Sequence, residues 1–134
     1  MKVLLDTHML IWAFENNPLL PEEAKEVILN EKNEIYYSSI STWEIAIKHA
    51  IHPDEIELDE NLFIDLCHQS GFNEIALNSN HVQSLSSLKP TSETNHKDPF
   101  DRMLMAQSLS EEMLFLTKDN KLDAYKLPNV IVYK

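Results

Sequence analysis

The chain has 134 residues, of which 43% are hydrophobic and 25% charged, and this composition predicts one globular domain over residues 1–134 rather than a disordered chain. Its single glycine, Gly71, excludes a glycine-rich phosphate-binding loop, and its net charge of −11 argues against a surface built for broad electrostatic capture of nucleic acid. No apolar run is long enough to span a membrane, no signal sequence is apparent, and a lone cysteine fits a reducing compartment, so we expect a cytoplasmic protein without membrane contact.

The first predicted element is a buried strand. Val3, Leu4 and Leu5 form a continuous apolar run, which is typical of a strand covered on both faces of a parallel sheet. Asp6 follows at its carboxyl end, where ligands collect in open α/β sheets. Asp6 is therefore either the cap of the next helix or a ligand for a positively charged group.

The next predicted elements are a helix from Thr7 to Glu15, a helix from Pro21 to Asn30, a strand from Ile35 to Ser38 and a helix from Ser41 to about Ala50.

The helix predicted from Ser41 carries a second acidic residue near its start. Ser41 and Glu44 have the spacing of a capping box, in which the Glu44 side chain would bond back to the amide of residue 41. That structural role is the alternative to a role in a functional site. Trp43, Ile47 and Ala50 are predicted to form the apolar, inward-facing stripe of this helix.

The second half of the chain continues the alternation of helices and strands. Asp59 is predicted to cap a helix that runs to Ser70, and Gly71 to end it in the left-handed conformation. The elements predicted after it are a strand from Phe72 to Leu77, a short helix from Asn78 to about Ser87, a loop from Lys89 to Lys97, a helix opened by Asp98 and Pro99 that ends near Glu112, a strand from Met113 to Leu116, a helical turn from Asn120 to Tyr125 and a strand from Val130 to Tyr133. Strands separated by helices imply right-handed crossovers, so we predict an α/β fold, a three-layer α/β/α sandwich around a parallel five-stranded sheet.

Five acidic residues lie where predicted strands end or helices begin: Asp6, Glu44, Asp98, Asp101 and Asp119. In a parallel sheet these ends meet at one edge, so the carboxylates should converge. Two unit charges about 5 Å apart repel by roughly 3 kcal/mol at an effective dielectric constant near 20, so either some pKa values are raised or a cation lies among them. Hard oxygen ligands without a cysteine or histidine set favour Mg²⁺ or Mn²⁺ over Zn²⁺. Such a site can activate water for attack on a phosphodiester.

Four motifs in this order resemble PIN-domain ribonucleases, particularly the VapC-type toxins of bacterial toxin–antitoxin pairs. The motifs are LLDTH at 4–8, STWEIAIK at 41–48, HKDPFDRMLMAQSL at 96–109 and LTKD at 116–119. The resemblance implies a PIN-like fold, metal-dependent cleavage of RNA, a homodimer, and a protein antitoxin that blocks the site.

The resemblance also implies roles for individual residues. Asp6, Glu44, Asp101 and Asp119 match the four acidic positions that hold the metal and are catalytic in the family. Thr7 matches the hydroxyl residue that commonly supports the metal-bound waters. One departure is Asp98, which lies one turn before Asp101. We rank Asp101 first and Asp98 as a helix cap with a supporting role near the metal, and the sequence leaves open which of the two contacts it.

Three further side chains flank the predicted site and could contact phosphate, although structural roles are the alternative: His8, His96 and Arg102.

Two other functions compete with the ribonuclease. One is an aspartyl-phosphate phosphatase with Asp6 as the nucleophile, which typically needs a second aspartate two residues on, where this chain has His8. The other is a catalytically inactive PIN-like interaction domain whose carboxylates serve as caps and solvated charges.

Overall fold

Five parallel strands form a single sheet in the computed structural model, which describes residues 1–89 and 98–134. The strands are β1 (Lys2–Leu5), β2 (Glu34–Ser38), β3 (Asn73–Ile75), β4 (Leu114–Thr117) and β5 (Val130–Val132). Their order across the sheet is β3-β2-β1-β4-β5, and every neighbouring pair is parallel. From β1 the chain proceeds outward on one side to β2 and β3, and later on the other side from β4 to β5. The carboxyl ends of β1 and β4 therefore form the switch point of the sheet, where open α/β folds bind ligands.

Helices connect the strands as the sequence predicts. They are α1 (Thr7–Glu15), α2 (Glu22–Leu29), α3 (Ser39–Ile51), α4 (Glu60–Gln69), α5 (Ser79–Ser84) and α6 (Pro99–Ser110), with 3₁₀ turns at Leu85–Ser87 and Asn120–Tyr125. The ends of the predicted elements agree with these bounds to within three residues. The predicted loop from Lys89 to Lys97 lies, apart from Lys89, outside the described residues. Within the described ranges, no helix has the length and apolar character needed to cross a bilayer.

Two hydrophobic cores cover the two faces of the sheet. Val3 and Leu5 of β1 lie in one core, with side chains from α1, α2 and α4, whereas Leu4 lies in the other, with Leu104 and Met105 of α6. This alternation follows from the two-residue period of a strand. Burying each such side chain contributes about 1.5–3 kcal/mol. The three-layer α/β/α sandwich predicted from the sequence is confirmed.

Most predicted helix caps are present. Asp59 Oδ1 accepts a hydrogen bond from the Leu62 amide at 2.8 Å, and Asn78 forms a capping box with His81. Asp98 Oδ1 accepts from the amides of both Phe100 and Asp101 at the start of α6. Gly71 has φ +75°, as predicted for a left-handed helix stop.

The predicted start of α3 at Ser41 is wrong. Strand β2 leads directly into the helix, and Ser38 is its cap, with Oγ accepting from the Ile40 amide at 3.0 Å. Glu44 is therefore the sixth helical residue rather than the third. Because a capping box needs the acid at the third position, that alternative role for Glu44 is also wrong.

Candidate active site

Asp6 lies at the switch point, between the end of β1 and the start of α1. It occupies the cap position, but its side chain makes no capping hydrogen bond. Instead, Oδ2 accepts a hydrogen bond from Thr117 Oγ1 at 2.6 Å. Oδ1 is buried and has no hydrogen-bond partner among the described residues, and the residue as a whole is 4% exposed. The capping alternative is thus wrong, and one oxygen of a buried carboxylate stays available for a ligand.

Thr117, at the end of β4, positions two of the predicted acids. Its hydroxyl donates to Asp6 and accepts the backbone amide of Asp119 at 3.1 Å. Asp119 in turn accepts from the Lys121 amide at 3.0 Å and so begins the 3₁₀ turn. Sequence reasoning assigned no role to Thr117. The only local signal was its place two residues before Asp119 in LTKD.

Glu44 contributes a second buried carboxylate from α3. The residue is 7% exposed, and its Oε1 lacks a hydrogen-bond partner in the part of the chain that the structure describes. Its Oε2 lies 3.3 Å from Lys48 Nζ, one turn further along the helix. Lys48 Nζ is also 3.5 Å from His8 Nε2. Burial raises the pKa of the Asp6 carboxyl above its usual value, and the negative charge of Glu44 raises it further.

Asp101, in the first turn of α6, marks the point where the acids meet. Burial, which makes the largest contribution, and the negative charges of four other acids together raise the pKa of its carboxyl to about 8; these acids are Asp6, Asp98, Asp119 and Glu44. Because Coulomb interactions weaken with distance and with solvent screening, these contributions indicate that the four acids lie on the same side of the molecule as Asp101. The acidic residues that the sequence singled out therefore influence one another electrostatically, and their joint role in a metal site stays a prediction.

The residues present fit a divalent cation. Across residues 1–89 and 98–134, no three His, Cys, Asp or Glu side chains are already grouped as a ready-made metal centre. The donor set is nevertheless made of hard carboxylate oxygens, which suit Mg²⁺ or Mn²⁺. Two of these oxygens, Asp6 Oδ1 and Glu44 Oε1, are buried without a partner in those ranges. Burying an unpaired charged oxygen is unfavourable, and an ion bound there would relieve that penalty.

The supporting residues predicted from the sequence follow the predicted acids closely along the chain. Thr7 is buried, and its hydroxyl lies 2.8 Å from Ser41 Oγ. Arg102 follows Asp101 in α6, and its Nε is buried without a hydrogen-bond partner among the described residues. His8 is exposed, with its ring 5.8 Å from that of Trp12. Their proposed contacts with metal-bound water or phosphate stay predictions, and His96 lies outside the described residues.

The predicted apolar stripe of α3 is wrong. Its buried residues are Ile40, Ser41, Glu44 and Ile45, whereas Trp43, predicted to face the core, is 58% exposed. Two of the four buried residues are polar because this face of α3 is turned toward the acidic pocket. The prediction from hydrophobic periodicity therefore assigned the adjacent face of the helix, rather than the buried one, to the core.

Comparison with known proteins identifies one matching family model and several solved structures with a similar fold. The model of the PIN domain family matches residues 3–127. The fold is similar to that of VapBC2 from Rickettsia felis bound to a promoter DNA fragment, with a TM-score of 0.67, 18% identity, and coverage of 99% of this chain and 98% of that one. A toxin–antitoxin complex from Klebsiella pneumoniae gives a TM-score of 0.62 at 22% identity, covering 98% of both chains. FitAcB from Neisseria gonorrhoeae gives a TM-score of 0.60 at 17% identity, covering 98% and 96%. No curated protein matches significantly.

Proposed function

This chain belongs to the PIN domain family, and from that membership we propose that it is a metal-dependent endoribonuclease, the VapC-type toxin of a toxin–antitoxin pair. PIN domains are generally nucleases, and they generally use divalent metal ions. The chemistry of the acidic pocket and the four sequence motifs support RNA as the substrate and Mg²⁺ or Mn²⁺ as the ion.

The observation that carries the proposal is the crowding of carboxylates around Asp101. Burial together with the negative charges of Asp6, Asp98, Asp119 and Glu44 raises the pKa of Asp101 to about 8, and carboxyls perturbed in this way are typical of functional sites. Caps and solvated charges do not explain it, because Asp6 and Glu44 are buried and neither caps a helix. An inactive interaction domain would have no need of such a pocket.

Four residues would hold the ion: Asp6, Glu44, Asp101 and Asp119. A bound divalent ion supplies polarisation of the phosphodiester and an activated water. The Thr117 hydroxyl orients Asp6 toward the pocket, and Lys48 offsets part of the charge of Glu44. Arg102 and His8 would contact the phosphate of the substrate. No side chain is proposed as a nucleophile, since position 8 lacks the second aspartate of an aspartyl-phosphate phosphatase.

The proposal includes a protein antitoxin, a homodimer and a cytoplasmic location. One of the similar structures is a toxin–antitoxin complex. An antitoxin for this chain should present Arg or Lys to the acidic pocket and an apolar helix to the region around Trp12 and Ile28. A cavity of about 420 Å³ is lined by Phe14, Ile28, Leu29 and Phe72 in that region.

The substitution Asp6→Asn tests the catalytic proposal. It keeps the size of the side chain and an oxygen for Thr117, but removes the charge needed to hold the ion, so Mn²⁺-dependent cleavage of single-stranded RNA should be abolished while the circular dichroism spectrum is unchanged. The matched control is Asp65→Asn, which changes an exposed aspartate on α4 and should leave cleavage intact. Cleavage retained by Asp6→Asn would remove the role assigned to Asp6.

Metal titration separates the nuclease from the inactive interaction domain. A ligand present at 100 times its dissociation constant stabilises the folded state by about 2.7 kcal/mol. The nuclease should therefore show Mn²⁺-dependent stabilisation that Asp6→Asn weakens. An interaction domain should show none.

A further inference from the structure

Trp43 is an exposed aromatic side chain that directly precedes the buried acid Glu44 in α3. It is 58% exposed, whereas Glu44, the next residue of α3, is 7% exposed. The ring centroids of Trp43 and Phe100 are 5.0 Å apart at an interplanar angle of 64°. This edge-to-face arrangement is one that aromatic pairs prefer. Phe100 therefore restricts the orientation of the indole, while more than half of Trp43 stays open to solvent.

The aromatic pair bridges the two helices that supply acids to the pocket. Trp43 directly precedes Glu44 in α3, and Phe100 directly precedes Asp101 in α6. Consecutive residues of a helix project about 100° apart, so the exposed ring of Trp43 and the buried carboxylate of Glu44 lie on adjacent faces of α3. The same adjacency holds for Phe100 and Asp101 on α6, and the rings of Trp43 and Phe100 are in contact, so we infer that the aromatic pair lies on one side of the pocket.

We propose that Trp43 and Phe100 bind one unstacked nucleobase of a single-stranded RNA whose scissile phosphate lies over the acidic pocket. This inference rests on the nuclease function proposed above and adds a base-binding subsite to it. Every nucleobase has a π-face, so stacking on an indole accepts different bases. A base inside a duplex has both faces covered by its neighbours and cannot stack there. The enzyme should therefore prefer single-stranded over double-stranded RNA.

A nucleobase fits this position better than a partner helix does. The pair offers one ring of open surface at the rim of a pocket suited to phosphate chemistry, which matches one base attached to its own phosphate. A protein helix needs a longer apolar groove. The chain has an apolar cavity of about 420 Å³ elsewhere, with Phe14, Ile28 and Leu29 among its lining residues.

The test uses fluorescence from Trp43. The chain has two tryptophans, so the Trp12→Phe variant leaves Trp43 as the only reporter. The probes are a short single-stranded RNA and a set of the same RNA with one base removed at each position in turn, titrated in the presence of Ca²⁺ to limit turnover. Stacking should quench Trp43 emission with the intact RNA, and the quench should be lost when one particular base is missing.

Three substitutions distinguish stacking from simple apolar contact. Trp43→Phe keeps a ring and should retain most of the affinity. Trp43→Leu keeps apolar bulk without a π-face and should weaken binding by about 5- to 150-fold, the range expected for one stacked base. Ile51→Ala is the control, because Ile51 is an exposed apolar residue at the far end of α3, 65% exposed, and it should bind RNA as the wild type does.

The outcomes separate this inference from the nuclease proposal. If the wild type cleaves RNA but Trp43→Leu binds as tightly, or if removal of any single base leaves the quench unchanged, the base-binding subsite is wrong and the nuclease survives. Base-dependent quenching without any metal-dependent cleavage would support the subsite and refute the nuclease. If Trp43→Leu changes only the oligomeric state, measured by light scattering, this surface is an interface between copies of the chain and the inference is wrong.

Discussion

Replacing Asp101 by asparagine should stabilise the metal-free protein, because the substitution removes one charge from a crowded site. The carboxyl of Asp101 has its pKa raised from 3.8 to about 8. At about 1.36 kcal/mol per pKa unit, the full shift corresponds to roughly 6 kcal/mol. Asp101 is only half-buried, so solvent screening reduces this figure, and we expect a gain of about 2–3 kcal/mol from Asp101→Asn near pH 8.

The gain should depend on pH in a defined direction. The pKa of Asp101 is higher in the folded state than in the unfolded state, so the folded state holds this proton more tightly. Protonation of Asp101 therefore contributes stability to the fold. This contribution is complete below about pH 4 and is lost as the pH rises through 8. Asparagine resembles the protonated acid at every pH. The advantage of Asp101→Asn over the wild type should therefore be small at pH 5 and largest at pH 8.

Urea unfolding at pH 5 and pH 8 in the presence of a chelator measures this difference directly. A gain of 2–3 kcal/mol corresponds to a melting temperature about 10 °C higher in a domain of this size. Asp65→Asn, the exposed control on α4, should change stability little at either pH. Saturating Mn²⁺ should reverse the order and stabilise the wild type more than the variant. A gain that does not grow between pH 5 and pH 8, or that the control equals, would refute the account of a crowded acidic site.

Two further substitutions test how the pocket is built. Thr117→Val removes the hydroxyl that holds Asp6, so the affinity for Mn²⁺ measured by calorimetry should fall about 10- to 100-fold. Thr117→Ser keeps a hydroxyl and should bind Mn²⁺ as the wild type does. Equal affinities for the two variants would mean that the hydroxyl does not position Asp6. Asp98→Ala should lower the free energy of unfolding by about 0.5–2 kcal/mol through loss of the α6 cap, while Asp98→Asn should keep the cap. Both Asp98 variants should retain Mn²⁺-dependent cleavage, and its loss in Asp98→Asn would assign the metal contact to Asp98 rather than Asp101.

Local sequence patterns were sufficient to predict the architecture of this chain. Strands and helices follow from apolar runs, caps and turn residues, which act over a few positions. Gly71 and Asp98, for example, adopt the conformations that their residue types favour. The acids could be expected to converge because parallel strands end at one edge of a sheet.

What the sequence could not predict depends on contacts between distant positions. Thr117 donates to Asp6 across 111 positions of the chain, and no local spacing reveals that bond. On α3, the buried face includes Ser41 and Glu44, so burial there follows the acidic pocket rather than hydrophobicity. For the same reason the exposed face, and with it the environment of Trp43, was predicted incorrectly.

The most direct test of the central claim is an anomalous difference map from crystals of this protein soaked in Mn²⁺. If the carboxylates at the ends of β1 and β4 and at the start of α6 form one metal site, the map should show a peak within coordination distance of Asp6 and Asp101, bordered by Glu44 and Asp119. A crystal soaked at an Mn²⁺ concentration that supports RNA cleavage, but with no peak in this pocket or with its peak elsewhere, would contradict the account.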